Sequence, residues 1–174
     1  MTFRRLRIAL VCALFPAQLF VGIHAYAADV IVAPQDVPFG ADTMVRDKVR
    51  DECNLEGKIA KFIVDFGKKK KDYTIVSERP ASGAYHVLTA EIVEVVGAGG
   101  GAWSGAKAVK VKGQLATSSG EVIGTFSAGR YSGGGAFGGY KGTCAILGRC
   151  TKAIGKDIAQ WLENPRMNSM LGDH

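Results

Sequence analysis

Few residues of this sequence have the type and spacing that catalysis requires. Beyond residue 27 the only histidines are His86 and His174. A serine nucleophile needs a base within hydrogen-bond reach, and no serine stands in a G-x-S-x-G turn. Two histidines also leave a metal centre short of ligands. The sequence therefore predicts a protein that is not an enzyme and that holds no metal ion.

Among the acidic residues, Glu91 and Glu94 most resemble a pair of catalytic carboxylates. They lie three residues apart in a segment whose alternation predicts a strand. Successive side chains of a strand point to opposite faces, so residues three apart should face opposite sides of the sheet. We therefore expect no acid/base pair here.

The segment from Gly97 to Ala102 matches G-x-G-x-x-A, the pattern of a dinucleotide-binding turn. In such folds the glycines open a helix, and an acidic residue follows about 20 positions later. Here the residues from Ala108 to Leu115 alternate like a strand instead. No dinucleotide and no other cofactor is predicted.

Three cysteines follow residue 27, namely Cys53, Cys144 and Cys150, and they are candidates for one disulfide. If Thr143 to Leu162 forms one helix, Cys144 and Cys150 are separated by about 9 Å of rise, beyond the ~7 Å limit between bridged Cα atoms. Cys53 would then pair with one of them. If the helix starts only at Cys150, a small Cys144 to Cys150 loop forms instead. Without a C-x-x-C motif, a structural role is expected.

Two glycine-rich segments with aromatic residues resemble each other. Residues 99–107 read GGGAWSGAK, and residues 133–141 read GGGAFGGYK. Glycine permits close approach of another chain, and aromatic side chains supply contact area at low entropic cost. Alternatively, the aromatic rings fold back on the sheet edge and the glycines are only linkers. The candidate partner-binding residues are Trp103, Lys107, Phe137, Tyr140 and Lys141.

The first 27 residues have the order of a secretory signal peptide. Arg4, Arg5 and Arg7 precede an apolar run to Ile23, and Ala25-Tyr26-Ala27 matches an A-x-A cleavage site. Cleavage after Ala27 predicts a periplasmic or secreted protein without a transmembrane segment. It also lowers the 22 basic side chains to 19, against 16 acidic ones.

The hydrophobic pattern predicts one domain over residues 28–165 and a flexible tail over 166–174. Alternation predicts strands at 29–33, 73–77, 85–96, 108–115 and 122–131, with a hairpin at 117–120. Helical spacing predicts a first helical region capped by Asp42 or Thr43 and broken near Asn54 to Gly57, and a last helix ending before Pro165. The predicted fold is α+β: a mixed, mainly antiparallel sheet of about five strands, with two to three helices packed on one face.

Four consecutive lysines, Lys68 to Lys71, lie between the first helical region and a strand. Such a run attracts phosphate-rich partners such as nucleic acid or lipopolysaccharide. With a net charge of only +3 after cleavage and no aromatic residues interleaved with the lysines, a solvated turn is the favoured interpretation. No nucleic-acid partner is predicted.

Several segments resemble a family of uncharacterised exported proteobacterial proteins. They are Asp51-Glu52-Cys53-x-Leu55, residues 99–107, Ser119 to Ile123, and Gly142 to Cys144 continuing through Asp157 to Leu162. The order of elements also looks like the amino-terminal domain of TolB and the α/β domain of the curli secretion subunit CsgG. The resemblance implies envelope assembly or protein binding without chemistry.

The sequence thus predicts a non-catalytic binding or assembly module of the cell envelope. Its glycine-rich aromatic loops would contact a partner protein or an envelope polymer. A self-assembling structural subunit is the alternative, since exposed sheet edges can pair between copies. Both interpretations allow a homo-oligomer.

Overall fold

The computed structural model describes residues 29–97, 105–133 and 140–173. Over these residues the chain forms six strands and three helices. In chain order they are β1 (Asp29–Val32), α1 (Asp47–Cys53), α2 (Leu55–Gly67), β2 (Tyr73–Val76), β3 (His86–Val96), β4 (Lys107–Thr117), β5 (Val122–Ser132), α3 (Thr143–Trp161) and β6 (Ser169–Gly172). The predicted signal peptide lies outside the described residues.

The strands form one mixed sheet in the order β2-β1-β3-β4-β5-β6. The long central strands β3, β4 and β5 are antiparallel. The short outer strands pair in parallel, β1 with β2 and β3, and β6 with β5. Gly120, with φ at 94°, closes the predicted hairpin between β4 and β5. The predicted α+β fold is confirmed, with six strands in place of about five.

The three helices pack against the apolar face of the sheet. Alternate residues such as Leu88, Val111 and Phe126 are buried on this face, and the Phe126 ring lies 4.9 Å from that of Trp161 on α3. The opposite face, here called the outer face, bears exposed polar residues such as Thr89, Lys112 and Gln114. Among the described residues, no helix is long and apolar enough to cross a membrane.

A β-bulge places Glu91 and Glu94 on the same side of the sheet. The register of β3 with β4 shifts between Ile92 and Glu94, so that Glu91 pairs with Lys112 and Glu94 with Lys110. Lysines two apart in β4 share the outer face. The expectation of opposite faces is therefore wrong, because the extra residue of a bulge reverses the alternation. Glu94 also accepts a hydrogen bond from Lys110 at 3.0 Å.

The helical region breaks at Asn54, as its sequence predicts. Asn54 ends α1 with φ at 44°, and its side chain accepts a hydrogen bond from the Gly57 N–H at the start of α2. The predicted cap at Asp42 or Thr43 is wrong, because α1 begins only at Asp47. The Thr43 hydroxyl donates instead to the Ile92 carbonyl at 2.7 Å, which fixes the loop against β3.

A disulfide joins Cys53 to Cys144, with Cα atoms 4.9 Å apart. Helix α3 is continuous from Thr143, so Cys144 and Cys150 cannot reach each other. Cys150 remains a buried thiol whose pKa is raised to about 11, mainly by burial. The disulfide ties the end of α1 to the first turn of α3, and it fits an exported protein because such bonds persist in oxidising compartments.

The predicted flexible tail contains a strand, so that prediction is wrong for residues 169–172. Strand β6 pairs with Phe126 to Gly129 of β5. Arg130 then holds the end of the chain, because its guanidinium bonds both Asp157 of α3 and Asp173. The neighbouring Asp157 carboxylate raises the pKa of Arg130.

Helices α2 and α3 approach closely at Gly155. A Cβ atom at this position would lie 2.5 Å from the Phe62 Cβ and 2.9 Å from its carbonyl carbon. Such distances leave no room for a methyl group between the helices. Gly148, on the same helix, has open space around it.

Loss of the disulfide should lower the free energy of unfolding by about 3–5 kcal/mol, because the bond closes a long loop. The change is Cys144→Ser, measured by denaturant unfolding with and without reductant. Reductant should destabilise the wild type but leave the variant unchanged. Cys150→Ala is the control, and it should keep its sensitivity to reductant; an insensitive control would contradict the Cys53–Cys144 assignment.

Gly155→Ala should lower the free energy of unfolding by about 1–3 kcal/mol, because the added methyl group separates α2 from α3. Gly148→Ala is the matched control on the same helix. It should raise the free energy of unfolding by about 0.5–1 kcal/mol, since alanine favours the helix. The measurement is thermal or urea unfolding of both variants. An equal change in the free energy of unfolding for Gly155→Ala and Gly148→Ala would contradict the close approach of α2 and α3.

Candidate partner-binding rim

Both glycine-rich segments attach to the same end of the sheet. Val96 at the end of β3 pairs with Ala108, and Lys107 at the start of β4 pairs with Ser132 at the end of β5. One segment therefore joins β3 to β4, and the other leads from β5 to α3. We call this end, formed by residues 96–97, 105–108, 131–133 and 140–143, the glycine rim. The residues that flank the two segments thus lie at one end of the sheet.

The predicted contact residues fall into different settings. Trp103 and Phe137 lie outside the described residues. Tyr140 is 89% exposed, so its ring does not fold back on the sheet edge. Lys141 next to it is half-buried and interacts with its surroundings.

Lys107 does not lie on the surface. Its side chain points to the helical side of the sheet and is 0% exposed, and its ammonium donates to the Gly105 carbonyl at 3.0 Å. The Lys107 carbonyl accepts a long hydrogen bond, 3.7 Å, from the Cys150 thiol. The prediction that the Lys107 side chain contacts a partner is therefore wrong. A buried ammonium needs acceptors within the protein, and Lys107 supports the rim from inside.

The rim also carries a row of apolar side chains that was not predicted from the sequence. Val96, Ala108 and Tyr131 pair across three strands on the outer face, and Val96 and Tyr131 are 44% and 66% exposed. The alternation of β5 contained this signal for Tyr131, which falls on the side opposite the buried Phe126 and Ala128. The alternation of β3 did not reveal Val96, because the bulge brings this residue to the outer face.

A groove opens next to this row, where β3 ends. It encloses about 580 Å³ between residues 43–49 and residues 95–97. Val45, Val49 and Val95 supply apolar walls, and Met44 is 85% exposed at its border. The groove and the apolar row together make this end of the molecule suited to contact by another chain.

The scaffold beneath the rim is rigidly connected. A Cβ atom on Gly97 would lie 3.3 Å from Val49 and 3.4 Å from Leu147, so α1, α3 and the end of β3 meet there. The disulfide fixes Cys144, three residues beyond Lys141, where the second segment ends. The two segments are thus attached to points that packing and a covalent bond hold in place.

Titratable groups cluster elsewhere. His86 lies at the opposite end of β3, where its Nε2 is 3.8 Å from the Asp29 carboxylate and its buried Nδ1 has no described partner. Within the described part of the chain, no three His, Cys, Asp or Glu side chains could jointly hold a metal ion. The rim presents contact area and few charges.

No protein-family model matches the sequence, and no curated protein matches it. Among solved structures, the PelC dodecamer from Paraburkholderia phytofirmans is similar, with 13% identity and a TM-score of 0.48 over 74% of this chain and 87% of that chain. A leucine-to-methionine variant of the same dodecamer is 12% identical, with a TM-score of 0.42 over 74% of this chain and 84% of that one. These likenesses are distant, and no conclusion about this chain rests on them.

Replacing Lys107 by Met should loosen the glycine rim, because the Gly105 carbonyl loses the ammonium that donates to it. We expect chymotrypsin to cleave after Trp103 about tenfold faster, corresponding to the loss of roughly one hydrogen bond from a charged donor. Lys112→Met on the exposed outer face is the control, and its cleavage should match that of the wild type. Equal cleavage of all three proteins would show that Lys107 does not hold the rim.

Proposed function

We propose that this chain is a non-catalytic binding or assembly module of the cell envelope, whose glycine rim contacts a partner protein or an envelope polymer. The observation that carries the proposal is the attachment of two glycine-rich aromatic segments to the same end of the sheet. Tyr140 is exposed there, and the same rim carries the exposed Val96 and Tyr131.

The chemistry of these side chains supports binding by contact area. Tyrosine offers a large rigid surface with a polar tip, and it is enriched where proteins recognise other chains. The glycines on either side impose no side-chain bulk, so another chain can approach the backbone. The exposed side chains of the rim, Val96, Tyr131 and Tyr140, serve contact and no catalytic step.

The disulfide supports an envelope location. The bond between Cys53 and Cys144 is expected to form after export to an oxidising compartment. We propose that residues 1–27 direct this export and that cleavage follows Ala27, which leaves a periplasmic or secreted chain.

The test is the triple variant Trp103→Ser, Phe137→Ser and Tyr140→Ser, used as bait in an envelope extract. Partners captured by the wild type should bind the variant at least tenfold more weakly, since removal of interface aromatics commonly costs that much. The measurement is quantitative comparison of the captured proteins and polymers.

The control carries Val122→Ser and Met167→Ser, two exposed apolar residues away from the rim. It should capture the same partners as the wild type. Identical partners for the wild type and the triple variant would defeat the proposal, whereas equal losses in both variants would point to general stickiness of apolar surface.

A second candidate function is self-assembly through the edge of β3. Strand β1 pairs with β3 only at Ile31 and Val32, and Phe39 adds one bridge at Ile92. From Glu94 to Val96 this side of β3 adjoins the apolar groove, so a strand of a second copy could pair there. Size measurement over a wide concentration range separates the two: growth with concentration favours self-assembly, and a constant monomer favours the binding module.

A further inference from the structure

Helices α2 and α3 present one continuous surface on the side away from the sheet. Just before α2 starts, Cys53 is bonded to Cys144 in the first turn of α3. Just beyond the ends of both helices, Lys70 and Glu163 form an ion pair of 2.6 Å. The helices therefore run parallel, and the contact of Gly155 with Phe62 holds them close together. We call the solvent side of this pair the helical face.

Basic residues are concentrated on the helical face. In α3, Arg149, Lys152 and Lys156 recur at three- and four-residue spacing, and all are exposed, opposite the buried Ile154 and Ile158. Residues three and four apart share one side of a helix. Lys152 and Lys156 form no ion pair with any described residue.

The four-lysine run extends this surface. Lys68, Lys69 and Lys71 are exposed where α2 ends, next to the end of α3, and Lys70 alone is paired with a carboxylate. Residues 55–72 and 143–163 together hold nine basic and five acidic side chains, whereas the rest of the chain after residue 27 holds 10 basic and 11 acidic ones. The positive excess thus belongs to the helical layer.

Aromatic rings lie among these lysines. Phe62 and Phe66 are half-buried on α2, with ring centres 6.4 Å apart. The Lys61 ammonium lies 5.9 Å from the Phe62 ring, and the Lys69 ammonium lies 5.2 Å from the Phe66 ring. Lysine and aromatic side chains side by side suit a headgroup layer, where ammonium groups meet phosphates and rings meet the upper acyl chains.

We infer that the helical face binds an anionic lipid surface. Charge complementarity carries the inference, because juxtamembrane lysines are attracted to anionic headgroups, and the two phenylalanines favour a lipid layer over a fully hydrated acidic polymer. The orientation leaves the glycine rim at the side of the molecule, free to contact a partner along the same membrane surface.

The test uses the purified chain and vesicles of phosphatidylethanolamine with phosphatidylglycerol, compared with vesicles of phosphatidylcholine alone. The wild type should sediment with the anionic vesicles only, and high salt should release it. Lys152→Gln with Lys156→Gln should weaken binding roughly 25-fold, about fivefold per lysine. Lys152→Arg with Lys156→Arg keeps both charges and should bind as the wild type does.

The control is Lys48→Gln with Lys112→Gln, which removes the same charge from α1 and from the outer face. It should bind the anionic vesicles within about twofold of the wild type, as expected when only nearby charges count. Equal weakening by both glutamine pairs, or no binding by the wild type, would overturn the inference.

Retention on heparin without vesicle binding would assign the face to an acidic polymer instead. Tyr140→Ser should leave vesicle binding unchanged, so that failure here is distinct from failure of the rim proposal.

Discussion

The close packing of α3 against both α2 and the sheet is the constraint on which the rest of the structure depends. On one side, Gly155 allows the backbone of α2 to approach at Phe62. On the other, Trp161 packs on Phe126 and fills the space that a side chain at Gly124 would occupy. The disulfide at the start of α3 and the Arg130–Asp157 pair along it keep this register. Because α3 touches both layers, it aligns the helical face and the glycine rim together.

This arrangement separates two surfaces of different chemistry. The glycine rim is apolar and lies where the central strands end, while the helical face is basic and lies on the outside of α2 and α3. The outer face of the sheet is nearly neutral, because Glu94 and Glu91 pair across strands with Lys110 and Lys112. If both proposals hold, the molecule would adhere to an anionic layer through its helices and meet a partner through its rim.

Local patterns predicted the elements that depend on periodicity alone. Alternation gave the three long strands, helical spacing gave α3, and the break at Asn54 followed from Asn and Gly in the middle of a helical pattern. The features that were missed need tertiary information. Strand β6 has only four residues, and the ion pair of Arg130 with Asp173 anchors it. The bulge near Ile92 has no distinct composition. Lysine is usually exposed, so only the tertiary packing shows that Lys107 is buried. The sequence did not show where α3 begins. Its start at Thr143 excludes a Cys144–Cys150 bond.

The spacing of the three thiols has a consequence for how the chain matures. During synthesis Cys53 appears 91 positions before its partner, and Cys150 follows that partner by less than two turns of the same helix. An unfolded chain would offer Cys53 two nearly equivalent competitors. Only the docked helix distinguishes them, because it turns Cys144 toward α1 and encloses Cys150 beneath the Lys107 carbonyl. The Cys53–Cys144 bond therefore depends on α3 having docked, and an oxidant that acted earlier would join Cys53 to Cys150 as readily as to Cys144.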